Sequence, residues 1–295
     1  MPSPTGRPRA RGAVAVLLLI SAVAYTAWVL EVVLSTGLDP VQAYISELAA
    51  ADQPLGGLFR ATDLVAGLAV LAAAGTALVG TGQVDTARRT GAEPVGTAHR
   101  TGTARRAGAE PVGTAHRTGA SRRTGAPQPR HRWALAGWSA LALFGAATAA
   151  DSRLPLSCTP TSDEECAARE TAGLVPATHT AHAVTSSLAM IGALAGLVAL
   201  TVAARRYGWW PPVRRYGPWL LGAELLATTW SLAAIGAFQA GRGTWALGAG
   251  QRLQVLLVAL WLGVLAWSLF RGEADDRRAH DRAAPTRDRA GREPV

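Results

Sequence analysis

Two histidines, His179 and His182, stand three residues apart just behind an acidic stretch that begins at Asp151. On a helix that spacing puts both imidazoles on one face. Two neutral imidazoles plus a carboxylate from Asp151, Asp63 or Glu47 would form a three-ligand set for zinc or another divalent metal. Such a set leaves a fourth position for water. A histidine beside a carboxylate also titrates near neutrality, which suits acid–base work. The plainer alternative is a pair of interfacial histidines hydrogen-bonded to nearby acids. The spacing is compatible with all three, whereas an HExxH run would have pointed to a metal.

Other polar residues extend the set. Arg252 is expected to pair with Asp63 or Asp151, either as a structural ion pair or as part of a site for an anionic headgroup. Glu224 lies inside an apolar stretch, with Thr228, Thr229 and Ser231 near it in sequence as hydrogen-bond partners. The chain has only 2 cysteines, Cys158 and Cys166, too few for a thiolate metal site. If their loop lies outside the cytoplasm, a disulfide is expected.

The elements that position these residues are set by composition. Of the 295 residues 49% are hydrophobic and 17% charged, against about 25% charged in a soluble domain. The apolar residues cluster in runs long enough to cross a bilayer. The expected fold is an all-α bundle of six transmembrane helices at about 12–34, 58–80, 133–150, 177–203, 217–239 and 250–270. The first run exceeds the apolar part of a cleavable signal peptide, so it is expected to remain as a helix. Pro40 to Ala51 reads as a short amphipathic helix lying on the membrane.

The formal charge of +9 comes with Arg and no Lys. These arginines fall between the apolar runs, as cytoplasmic loops of membrane proteins require, and no reading motif accompanies them. Nucleic acid is therefore not an expected partner. The positive-inside rule puts both termini in the cytoplasm, with residues 1–11, 81–132, 204–216 and 271–295. It puts 35–57, 151–176 and 240–249 outside the plasma membrane. Trp133, Trp209, Trp210 and Trp219 fall at the inner interface. Residues 87–103 and 104–120 are near-copies, a tandem repeat with a period of 17. They are rich in Gly, Thr and Arg and poor in apolar residues, so a disordered loop is expected there, and a disordered tail after 270.

Depth then gathers the polar residues. Glu31 ends the first span, Asp63 begins the second and Asp151 ends the third. His179 and His182 begin the fourth; Gln251, Arg252 and Gln254 begin the sixth. An ionisable group at mid-bilayer costs about 2.5–3.5 kcal/mol on insertion scales. Several at one level are expected to face each other or water. The candidate pocket residues are Glu31, Glu47, Asp63, Asp151, His179, His182, Gln251 and Arg252. The function expected is an outward pocket that binds a small polar ligand or a lipid headgroup, or that assists a membrane-protein partner. A metal-dependent lipid hydrolase is the alternative, with His179, His182, Asp151 and Asp63 holding the ion and activating water. A transporter is a weaker one, since the sequence shows no inverted repeat.

The motifs YISELAA (44–50), D-x-x-x-G (63–67), DSRLPLSCTPTSDEEC (151–166), HTAHAVTSSLAMIG (179–192) and GQRLQ (250–254) together resemble a family. It is a bacterial and archaeal membrane family catalogued as the domain of unknown function DUF998. The resemblance covers most of 12–270 apart from the repeat. It implies a six-helix membrane protein and supplies no activity. The family pattern has Glu-Arg where this chain has Gln251-Arg252, which removes one carboxylate from the set.

Overall fold

The computed structural model describes residues 8–89 and 131–283. The apolar runs form helices because a helix satisfies its own backbone where water is absent. In chain order these are α1 (Pro8–Tyr25), α2 (Gly56–Arg89), α3 (Arg132–Asp151), α4 (Glu164–Thr171), α5 (Ala177–Tyr207), α6 (Pro211–Gln239) and α7 (Leu247–Ala283). Six segments are long and apolar enough to cross a membrane: Ala10–Val32, Gly56–Gly80, Arg132–Asp151, Ala177–Tyr207, Pro211–Gln239 and Leu247–Gly272.

Several boundaries differ from the sequence expectation. The first span is not one α-helix; α1 stops at Tyr25 and a 3-10 helix continues over Ala27–Val32. At the junction Thr26 Oγ bonds back to the carbonyls of Ala22 and Val23 at 3.2 and 2.9 Å. Residues 40–51 do not form an amphipathic helix. Only a 3-10 helix forms, over Ile45–Ala49, and its consecutive Glu47, Leu48 and Ala49 are all buried. Leu48 and Ala49 pack with Phe59, Trp28 and Leu55, so the segment is part of the protein's core rather than a float on its surface. At the far ends, α2 continues to Arg89 and α7 to Ala283. Most of the repeat, the first seven residues and the tail from 284 lie outside the described residues.

The basic 204–216 connection shrinks to Gly208, Trp209 and Trp210. Gly208 ends α5 at φ +70°, a left-handed position that favours glycine. Arg205 and Arg206 occupy the last turn of α5, where the helix dipole favours cations. Pro211 and Pro212 open α6, where a missing N–H costs nothing.

The spanning helices close a ring. Each packs on the next, α1 on α2, α2 on α3, α3 on α5, α5 on α6 and α6 on α7, and α7 returns to α1. Lipid tails are as apolar as leucine, so helices in a membrane associate through close backbone packing over small residues. Gly67 of α2 and Gly145 of α3 face each other. A Cβ on Gly67 would stand 2.7 Å from the Gly145 carbonyl oxygen, and one on Gly145 would stand 2.6 Å from that of Gly67. Gly192 of α5 fits against α3 in the same way, with the Phe144 nitrogen 2.6 Å from its virtual Cβ. Inside the ring Leu18, Trp138, Leu141, Phe144, Leu200, Trp261 and Leu265 are fully buried.

The two ends of the ring have different chemistry. One carries His131, Tyr207 and Trp209 in mutual ring contact beside the arginines of α5 and α6. At the other, three connections are tied together. Ala51 N–H donates to the Leu156 carbonyl at 2.8 Å, and Ala249 N–H to that of Val41 at 3.1 Å. Thr244 donates its hydroxyl to the side chain of Gln42.

Candidate functional site

The second end holds a partly open cavity of about 160 Å³. Its walls come from α1, α2, α3, α5 and α7, with the 3-10 segment 45–49 above. Asp63, Asp151, His182 and Gln251 line it, as do Tyr25, Trp28, Phe59, Arg60, Ser186 and Gln254. Asp63 sits two turns into α2. Among the described residues its carboxylate has no hydrogen-bond or ion-pair partner. Arg60 stands one turn before it on the same face. Its Nη1 is held by the carbonyls of Ala49 and Ala50 at 2.7 and 3.1 Å.

Asp151 ends α3 against the first turns of α5. It accepts a hydrogen bond from Thr185, and one from Ser186 Oγ at 3.0 Å. His182 Nδ1 lies 3.0 Å from Asp151 Oδ1, but the ring is not aligned for a hydrogen bond there. Its Nε2 lies 3.3 Å from Ser186 Oγ. Serine, histidine and aspartate in mutual contact invite comparison with a nucleophile–base–acid set. In such a set the acid lines up on one ring nitrogen and the serine donates to the other. Here the serine donates to Asp151 itself and the acid is off the Nδ1–H line, so the imidazole is not aligned as a general base for Ser186. The cluster as it stands is a polar wall joining α3 to α5.

His179 has a different neighbourhood. Its Nδ1 accepts from Ser157 N–H at 3.2 Å and contacts Ser157 Oγ at 3.0 Å. A backbone N–H can only donate, so Nδ1 is the bare nitrogen and the proton sits on Nε2. That nitrogen faces Glu170 at 4.0 Å. His179 thus fastens the 152–176 connection from below, and it does not line the cavity. Among the described residues no three His, Cys, Asp or Glu side chains are grouped to hold a metal ion. The candidate ligands His179, His182, Asp151 and Asp63 are shared between the loop and the cavity.

The connection above the cavity is braced at three points. Cys158 and Cys166 form a disulfide. Asp163 caps α4, accepting from the N–H groups of Glu165 and Cys166. Glu47 is buried and accepts from Thr161 twice, from the backbone N–H at 2.8 Å and from the hydroxyl. Burial pushes the Glu47 carboxyl up to about 6, against the opposing pull of the Thr161 bonds, with smaller upward pushes from Asp52 and Glu170.

Arg252 is paired neither with Asp63 nor with Asp151. It grips Glu31 with Nε at 2.5 Å and Nη2 at 2.7 Å, and its Nη1 donates to the carbonyls of Ala43 and Gly248. The reason is topological. Closing the ring brings the end of the first span against the start of α7, which puts Glu31 nearer than either aspartate. Gln251 accepts from Ile45 N–H at 2.9 Å and so holds the 3-10 segment over the cavity. Glu224 differs too. It is fully buried, and Gln254 and Thr228 are its polar neighbours, though among the described residues neither carboxylate oxygen meets strict hydrogen-bond geometry. Thr228 accepts from Gln254 Nε2 at 2.9 Å, and Thr229 bonds the Leu225 carbonyl.

Of the eight residues named from sequence, Asp63, Asp151, His182 and Gln251 line the cavity. Glu31, Glu47, His179 and Arg252 build the frame around it. Tyr25, Trp28, Phe59, Arg60 and Ser186 also line the cavity without standing among the residues expected from sequence. Two of these carry a sequence signal: Arg60 precedes Asp63 by three residues and Ser186 follows His182 by four, each on the same helix face as its neighbour.

A family model described as a protein of unknown function, DUF998, matches residues 10–98 and 101–268. No curated protein matches, and no solved structure does.

Proposed function

The chain belongs to the DUF998 family, and on that premise we propose that it is an integral membrane protein whose cavity receives a small polar ligand or a lipid headgroup. The observation that carries this reading is the wall itself. Five helices bring Tyr25, Asp63, Asp151, His182, Ser186 and Gln254 to one recessed space, and the three connections above are tied down by Thr161–Glu47, Ser157–His179, Ile45–Gln251 and Thr244–Gln42 bonds. Polar side chains are costly inside a bilayer, and a wet or liganded cavity removes that cost. We place the cavity on the outer side of the plasma membrane, because Arg205, Arg206, Arg214 and Arg215 lie at the opposite end and arginine-rich connections stay in the cytoplasm.

Native mass spectrometry of the protein extracted from membranes tests the ligand reading. Wild type is expected to keep a bound lipid or small molecule, and the Gln254→Ala, Ser186→Ala double variant to lose it. Equal, ligand-free spectra for both would count against it.

The His182–Asp151 pair favours a second reading, a metal-dependent lipid hydrolase. It requires His179 to leave Ser157 and join His182 on one ion. Metal content of purified wild type against His182→Ala decides it, and near-zero metal in both ends it.

A further inference from the structure

We propose that the cavity accepts a positively charged ammonium group, primary or quaternary, carried by a small amine or by a lipid headgroup. This rests on reading the cavity as a ligand site, and three observations carry it further. The first is the distribution of charge. Asp63 and Asp151 both line the cavity, against one guanidinium, Arg60, and one imidazole, His182. Arg252 is neutralised by Glu31 through two short bonds and does not line the space.

The second is which groups are already engaged. Asp151 receives two hydroxyls and the edge of His182. Arg60 is tied by Nη1 to the carbonyls of Ala49 and Ala50. Asp63 faces the cavity with no partner among the described residues. A carboxylate withdrawn from bulk water calls for a cation or a proton. An anion drawn to Arg60 would stand against Asp63, one turn away on the same helix face.

The third is the rest of the wall. Tyr25, Trp28 and Phe59 add three aromatic rings to the same space. Aromatic faces attract cations through the ring quadrupole, and quaternary ammonium groups are commonly held this way. A wall that combines an acidic group with aromatic rings is poorly suited to phosphate or sulfate and well suited to an alkylammonium.

Thermal shift of the purified full-length protein in a maltoside detergent tests this with four probes: choline, ethanolamine, the neutral choline isostere 3,3-dimethylbutanol, and inorganic phosphate. Choline and ethanolamine are expected to raise the Tm saturably, and the other two to leave it unchanged. Asp63→Asn is expected to weaken the amine response at least about tenfold. If that variant does not fold, Trp28→Leu keeps the acid and is expected to weaken choline more than ethanolamine. An equal response from wild type and Asp63→Asn overturns the proposal, as does a Tm raised by phosphate or dimethylbutanol with both amines silent. In that last case the ligand site stands without its charge preference. Silence of all four probes overturns the ammonium, and a failure of Asp63→Cys to react with water-borne reagent would remove the ligand site with it. Nanodiscs separate the two sources. A headgroup origin predicts a higher Tm in phosphatidylethanolamine than in phosphatidylglycerol, and no further gain there from choline. A free amine predicts the same choline shift in both.

Discussion

Arg252 Nε and Nη2 reach the two oxygens of Glu31 at 2.5 and 2.7 Å, and this contact joins the last spanning helix to the first. Both side chains are almost fully buried, with 6% and 5% exposed. Two-toothed geometry is the arrangement in which a buried pair comes nearest to offsetting its desolvation. The pair is a clasp on the ring, set beside the cavity rather than in it.

Removing one partner of the clasp leaves a buried charge alone. Arg252→Ala or Glu31→Ala is expected to destabilise the protein by about 3–5 kcal/mol. The double change Glu31→Leu, Arg252→Leu is expected to cost much less than the sum, since no orphan charge remains. Melting temperatures in detergent check this, and additive losses would contradict it.

Glu47 makes the loop end sensitive to pH. Its folded carboxyl is pushed up to about 6, above the ordinary 4.5. Between these values the folded protein holds more protons than the unfolded chain, so stability falls as pH rises through this window. Below about 4.5 the penalty is absent; above about 6 it is fully present, on the order of 2 kcal/mol. Glu47→Gln is expected to flatten the dependence of Tm on pH between 4.5 and 6. An unchanged slope would mean that another group sets it.

The disulfide closes a loop of about nine residues, which the chain-entropy relation values at roughly 2–3 kcal/mol. Reduction, or Cys158→Ser with Cys166→Ser, is expected to speed amide exchange across 152–176 while the spanning helices stay protected. Faster exchange throughout the bundle would show that the bridge supports more than its own loop.

Gly67 and Gly145 set the distance between α2 and α3, the helices that carry Asp63 and Asp151. Gly67→Ala would drive a Cβ into the α3 backbone, with Ala149 N only 2.6 Å away. Overpacking of this kind costs typically 1–3 kcal/mol. The same change at Gly75, where a Cβ meets nothing within 4 Å, is expected to be neutral. Equal Tm values for the two variants would contradict the close approach.

Much of this architecture was readable in advance because it rests on length and composition. Six apolar runs of spanning length leave little choice of fold, and two cysteines in one loop leave little choice of partner. Of the polar residues expected at one level, Asp63, Asp151, His182 and Gln251 line one cavity. Their partnerships were not readable. The sequence offered Asp63 or Asp151 to Arg252, but the contact that forms depends on α7 returning to α1, across 221 positions. His179 and His182 share a helix face by spacing, yet a serine in the preceding loop claims one and the end of α3 the other. The 40–51 segment has amphipathic composition, but Gln251 and Thr161 draw it into the protein. In each case a tertiary contact decided between the local alternatives.

On the proposed reading Asp63 faces a water-accessible cavity on the outer side. The direct measurement is labelling of an Asp63→Cys variant in intact cells with a membrane-impermeant, cationic thiol reagent. The native cysteines are paired and stay silent. Reaction from outside is expected, and none at a Glu224→Cys control buried between helices. An Asp63→Cys protein that reaches the membrane in normal amounts yet stays unlabelled, or that reacts only from the cytoplasmic side, would contradict it.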